Sequence, residues 1–158
     1  MPDGKAIKDK IFSTFADLAS SLGYSPIHGK IIGALLVAGE PLSLQDLARE
    51  TGYSTSMVSL SLDLLEVLGV IKKVKKTADR KLYISLSGDL VASLKTALLV
   101  RVKKSIDDSL AEFSESRRQL KKLRGKERAR LDKTLSTLEA QIKRLQRYVN
   151  LLSGIRLP

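Results

Sequence analysis

The chain reads as mainly α, with one small β element set between a compact helical domain and a long helical extension. Three observations lead there. Residues 41–69 carry two short, capped helical patterns joined by a Gly-containing turn. Two β-type runs then flank a basic tip, at 70–75 and 82–86. Beyond Gly88, apolar residues recur at helical spacing almost to the C-terminus. That order predicts a winged helix-turn-helix, a three-helix core plus a two-stranded β wing. Long C-terminal helices would follow as a coiled-coil or helical-hairpin dimerisation stalk. Such a domain can present one helix to a DNA major groove. Three segments are expected: 1–23, a helix on the core or the dimer interface; 24–88, the winged domain; and 89–158, the stalk.

Each element has a local cause. The first helix is expected from about Ala6 to Leu22, with Ile11, Phe15, Leu18 and Leu22 as its apolar stripe. Gly23 ends it. Ser25 is a suitable N-cap, and Pro26 fits the first helical position, where its missing N–H costs nothing. The second helix runs from Pro26 to Ala38. Gly29 and Gly33 lie one turn apart on it and permit close helix approach, at a propensity cost of roughly 1 kcal/mol each. Ser43 and Asp46 stand in capping-box positions for the third helix, whose buried face is Leu44, Leu47 and Ala48. Gly52 is its left-handed cap. The fourth helix starts at Ser54 or Thr55 and stops at Gly69, with Val58, Leu62 and Leu65 facing the core. Leu82, Ile84 and Leu86 alternate with Tyr83 and Ser85, as in a strand with one buried face.

Another helix is expected from about Asp89 to Leu123, with Gly125 as the candidate break. Leu131, Leu135, Leu138, Ile142, Leu145, Val149 and Leu152 then form an unbroken heptad seam. Leu135, Ile142 and Val149 take a positions and the other four take d. One helix cannot hide this stripe alone. It is the expected dimer-forming element, in either a parallel coil or an antiparallel hairpin.

Composition narrows the function. The 158 residues carry a net charge of +11, with 4% aromatics, no Cys and a single His. The excess charge favours a polyanion partner, double-stranded DNA first. It is unevenly placed: residues 1–23 are neutral, 24–88 carry +2 and 89–158 carry +9. Without Cys there is no disulfide and no thiolate zinc site. His28 stands alone, so no catalytic residues, cofactor or metal are expected. No apolar run is long enough to span a bilayer, and the N-terminus lacks an apolar signal core, so the expected location is the cytoplasm.

Away from Val58, the fourth helix presents Ser56, Ser59, Leu60 and Asp63, and Ser54 and Thr55 stand at its start. Ser54, Thr55, Ser56, Ser59 and Leu60 are the candidate groove contacts, with packing the safer reading for Leu60 and simple capping at least an equal one for Ser54. This face has no Arg, Asn or Gln, which read bases bidentately. Recognition should therefore lean on phosphates and DNA shape. Asp63 would be repelled by phosphate. The wing adds Lys72, Lys73, Lys75, Lys76, Arg80 and Lys81 against one acid, Asp79. Residues 117–130 carry eight basic groups and one acid, a solvated hairpin tip or a grip on phosphates or an acidic partner.

Residues 24–86 resemble the MarR superfamily, specifically its GbsR-type branch. The resemblance rests on Gly29-Lys30-Ile31-Ile32-Gly33-Ala34-Leu35-Leu36, on Pro41-Leu42-Ser43-Leu44, and on Val58-Ser59 with Leu62 and Leu65. Gly69-Val70-Ile71 and the wing run Asp79-Arg80-Lys81-Leu82-Tyr83 complete it. It covers about 60 of the 158 residues. It implies a homodimeric regulator, often a repressor released by a small-molecule effector, with Arg80 as the residue that enters a minor groove. The stalk departs from that pattern. Two other functions compete: a sequence-tolerant architectural DNA binder, and an assembly adaptor using the coiled coil.

Overall fold

The structure, a computed structural model, describes residues 3–158; residues 1 and 2 of the expected N-terminal segment lie outside the described residues. The chain divides into two compact units, one ending at Ala97 and the other starting at Leu98.

In the first unit, helix α1 (Gly4–Ser21) is capped by Asp3, whose carboxylate accepts from the Lys5 amide at 3.1 Å. Its buried face is Phe12, Ala16 and Ala19, with Ile11 and Phe15 half-buried beside it. The expected stripe is therefore rotated, and Leu18 is exposed. The reason lies on helix α2 (Pro26–Ala38). Gly29 and Gly33 let the two helices approach closely, with the backbone at Phe15 and Ala16 against Gly29 and the Phe12 ring against Gly33. A Cβ added at Gly29 would lie 2.7 Å from the Ala16 amide nitrogen and nearer still to the Phe15 carbonyl.

The N-terminus of α2 uses an unexpected partner. His28 Nδ1 accepts from the Ser25 amide at 3.2 Å, the reciprocal bond of a capping box. Burial pushes the imidazole below its ordinary value of 6.5. Protonation would also remove the acceptor that Ser25 needs. The folded state thus favours the neutral ring, while the unfolded chain takes up its proton at the ordinary pKa. Stability should fall as pH drops below about 6.5 through the lowered folded value, then level off. His28→Gln keeps a capping acceptor and removes the titration. Urea unfolding at pH 7 and pH 5 should show a larger acid loss for the parent chain than for the variant.

Strand β1 (Leu42–Ser43) leads into helix α3 (Leu44–Thr51), where Ser43 Oγ accepts from the Asp46 amide at 3.1 Å. Gly52 takes the left-handed cap at φ +77°. Helix α4 (Thr55–Val67) follows, then strands β2 (Ile71–Lys75) and β3 (Leu82–Leu86). All three strands form one antiparallel sheet in the order β1-β3-β2. The expected hairpin thus gains a third strand, and β3 becomes central. Two residues are too few for β1 to show an alternation in sequence. Ile31, Leu47, Val58, Leu62 and Ile84 are the fully buried centre of the core. Each such side chain contributes roughly 1.5–3 kcal/mol of burial. Tyr24 Oη ties the start of α5 (Leu90–Leu120) to this core by donating to the Ala97 carbonyl at 2.6 Å.

In the second unit, the rest of α5 turns at 121–124 into helix α6 (Gly125–Gly154). The helix expected to reach Leu123 stops at Leu120, and Gly125 opens the next one at φ +79°. Arg117 donates to Asp132 at 2.8 Å and to Glu139 at 3.0 Å, so the two helices form an antiparallel hairpin. Ile106 of α5 and Val149 of α6 are both buried. Lys143 and Arg117 hold the Glu139 carboxyl below its usual range. Among the described residues, no helix is long and apolar enough to cross a membrane, and no group of three or more His, Asp or Glu residues is placed to hold a metal.

Candidate nucleic-acid interface

Helix α4 packs beside strand β2 of the wing in the first unit, and the basic residues lie on the wing. The helix packs through Val58, Leu62 and Leu65, so its opposite face is exposed by geometry. Ser56, Ser59 and Leu60 lie on that face, and Ser54 and Thr55 are exposed at the start of the helix. Ser54 is the cap of α4: its Oγ accepts from the Met57 amide at 3.2 Å. Leu60 is 73% exposed and Val67 84%. The expectation that Leu60 packs is not met within the chain, because the core closes on the other face.

Asp63 is paired within the chain. Lys73 Nζ donates to it at 2.6 Å and lies 3.8 Å from Glu66. The cause is strand parity. Lys73 pairs with Ile84, so it points to the same side of the sheet as the buried Ile84 and reaches α4. Asp63 holds the ammonium above its ordinary pKa. Lys73 is thus drawn away from the free cations of the wing, and in return it neutralises the carboxylate nearest the candidate groove face. Lys72, Lys75, Lys76, Arg80 and Lys81 remain exposed.

The wing tip is an ordered turn. The Lys76 amide donates to the Lys81 carbonyl at 3.3 Å, and the Arg80 amide to the Lys76 carbonyl at 3.0 Å. Arg80 sits at φ +58°, a left-handed conformation shared by no other described residue except glycines. Asp79 closes the turn around it: one carboxylate oxygen accepts from the Lys81 amide at 3.0 Å, the other from Tyr83 Oη at 2.7 Å. These two bonds hold the carboxyl below its usual pKa, and the Tyr83 phenol is raised in return. Lys76 Nζ lies 4.1 Å from the centre of the Tyr83 ring. The carboxylate therefore braces the turn through the Lys81 amide and Tyr83 and not through the Arg80 guanidinium. Sequence reasoning passed over Tyr83 in this role. Its only trace was an Asp four residues ahead of an aromatic at the start of a strand.

No family model and no curated protein matches the chain. Solved structures do. A crystal structure of a transcriptional regulator aligns with a TM-score of 0.61 over 94% of this chain and 99% of that chain, at 17% identity. The fold is a winged helix. A mutant of Staphylococcus aureus MepR bound to an oligodeoxyribonucleotide aligns at 21% identity, over 85% of this chain and 94% of that one, with a TM-score of 0.44. A MarR-family transcriptional regulator from Silicibacter pomeroyi aligns at 20% identity, over 86% and 84%, with a TM-score of 0.45.

Proposed function

We propose that this chain is a cytoplasmic, sequence-specific transcriptional regulator of the MarR superfamily, GbsR-type branch, binding DNA as a homodimeric repressor. The carrying observation is Arg80. A non-glycine residue in the left-handed region costs roughly 1–2 kcal/mol, and here Asp79 and Tyr83 brace it at the tip of a basic hairpin. Such strain is retained where function needs it. In this reading α4 enters the major groove through Thr55, Ser56, Ser59 and Leu60. The wing lays Arg80 in the adjacent minor groove.

Two copies are needed to place two recognition helices about one DNA turn apart. Helix α6 supports that arrangement. Its a row, Leu135, Ile142 and Val149, is half-buried or buried. Its d row, Leu131, Leu138 and Leu145, stays 37%, 43% and 42% exposed, with Leu152 half-buried. The hairpin covers one row and leaves the other for a second chain. The first unit holds a small apolar cavity of about 30 Å³ among Phe15, Leu18, Tyr24, Ile32 and Leu65. That volume holds about a water or two, so an osmolyte-sized ligand would have to open it.

The test is binding to the promoter DNA upstream of the protein's own gene, against random DNA, across a salt series. A discrete footprint and a preference of ~10³-fold or more are expected. Equal affinity for both DNAs with a steep salt slope would replace this reading with the architectural one. No binding at low salt would leave the assembly adaptor.

Two substitutions test the wing. Arg80→Gly should raise folding stability by about 1 kcal/mol, because glycine adopts φ +58° freely, yet weaken operator binding roughly 10- to 100-fold. Tyr83→Phe should weaken binding several-fold by releasing Asp79. If Tyr83 acts through Arg80, the double variant binds no worse than Arg80→Gly alone. Additive losses would show that Tyr83 contacts DNA on its own account.

A further inference from the structure

The turn of the α5–α6 hairpin carries a second charged surface, on the second unit. Lys121, Lys122, Arg124, Lys126, Arg128 and Arg130 crowd ten consecutive residues with Glu127 as the single acid. All ten positions are exposed. Their neighbours have found acids: Arg117 binds Asp132 and Glu139, and Arg118 binds Glu115. Among the described residues, none of the six forms an ion pair. The same tip holds a groove of about 560 Å³. Leu120, Leu123, Leu131 and Leu135 supply its apolar lining, with Lys122 and Thr134 at its edge.

We propose that this tip is a docking surface for an acidic, amphipathic helix of another protein. An apolar lining inside a cationic rim asks for two things in one occupant: an apolar stripe and flanking carboxylates. A helix with leucines at i, i+3, i+4 and i+7 and acids elsewhere offers both. The leucines enter the groove, while the carboxylates meet the six cations and set the orientation. Duplex DNA would satisfy the cations but presents a charged backbone to the leucines. The tip itself is a poor seat for the tip of a second copy, since residues 121–130 hold six basic groups against one acid, and the row proposed for the dimer runs from Leu131 away from it. The most acidic helix of the chain, α4, already has Asp63 and Glu66 beside Lys73. This inference stands independently of the DNA-binding reading.

The test uses the full chain and a fluorescent synthetic peptide of about 18 residues, with leucines at helical spacing and glutamates elsewhere. A shuffled peptide of the same composition lacks the stripe. The striped peptide should bind at least ~10-fold tighter than the shuffled one. Leu123→Asp and Lys122→Glu should each weaken it by ~10-fold or more, with molecular mass and urea midpoint unchanged. Leu123 suits this because it is 38% exposed and lies outside the heptad seam. Equal binding of both peptides would reduce the tip to a nonspecific cation cluster and overturn the proposal. So would an absence of binding, or an unaffected Leu123→Asp. A changed mass in Leu123→Asp would assign the groove to self-association instead. Displacement of the peptide by random duplex DNA, lost in Lys122→Glu, would assign it to nucleic acid.

Discussion

Gly29→Ala is expected to destabilise the first unit by about 3 kcal/mol or more, the upper end of overpacking effects. The added methyl would collide with the Phe15 carbonyl group and the Ala16 amide nitrogen of α1, which are backbone atoms that no rotamer change can move. Relief requires α1 to shift off α2, and that disrupts the packing of Phe12 and Ala16. The gain in helix propensity, about 1 kcal/mol for Gly to Ala, offsets only part of this. Gly33→Ala is the matched control. Its nearest neighbour is the Phe12 ring at 3.2 Å, a side chain that can yield by a few tenths of an ångström. It should cost far less. Urea denaturation of both variants tests the pair, and equal midpoints for Gly29→Ala and the parent chain would refute the close α1–α2 contact.

Leu138→Glu should weaken self-association by on the order of 100-fold, and operator affinity with it. Leu138 is the most exposed of the three outward leucines of the α6 seam. Burying a leucine in a partner surface contributes roughly 1.5–3 kcal/mol, and a glutamate there would add the cost of a desolvated charge. Ile142→Ala provides the contrast. Ile142 belongs to the half-buried row, so its truncation should lower the stability of the hairpin and leave the dimer in place. Sedimentation across a concentration series separates the two. A dimer that persists in Leu138→Glu would move the interface away from this row. A monomeric parent chain would remove the homodimer from the proposed function.

Much of the fold is legible in short stretches of sequence because its signals are local. The caps at Ser43 and Ser54, the left-handed Gly52, and the Gly29/Gly33 pair each act within a few residues of themselves. The Val58, Leu62 and Leu65 stripe is buried as its spacing required. The candidate DNA face follows directly, since whatever lies opposite that stripe must be exposed. Lys73 was not legible in the same way. Its charge placed it among the wing cations, but its parity in β2 aims it at Asp63. Parity matters only once the face of the sheet that meets the core is known.

The sequence by itself determined the order of the helices and their bounds to within a few residues, the apolar stripe that centres the core of the winged domain, and where the positive charge lies. These follow from hydrogen bonds that close within one turn and from the periodicity of apolar side chains. Only the tertiary structure decided which face of α1 is buried, that β1 joins the sheet, that Asp79 braces the wing through Tyr83, and which row of the α6 seam stays open. Each of those depends on a contact between residues that local pattern does not link: α1 against two glycines of α2, β1 against β3, Tyr83 across the wing turn, Arg117 against Glu139. Local energetics cannot rank such contacts, because their stabilisation appears only after the chain has closed the loops between them.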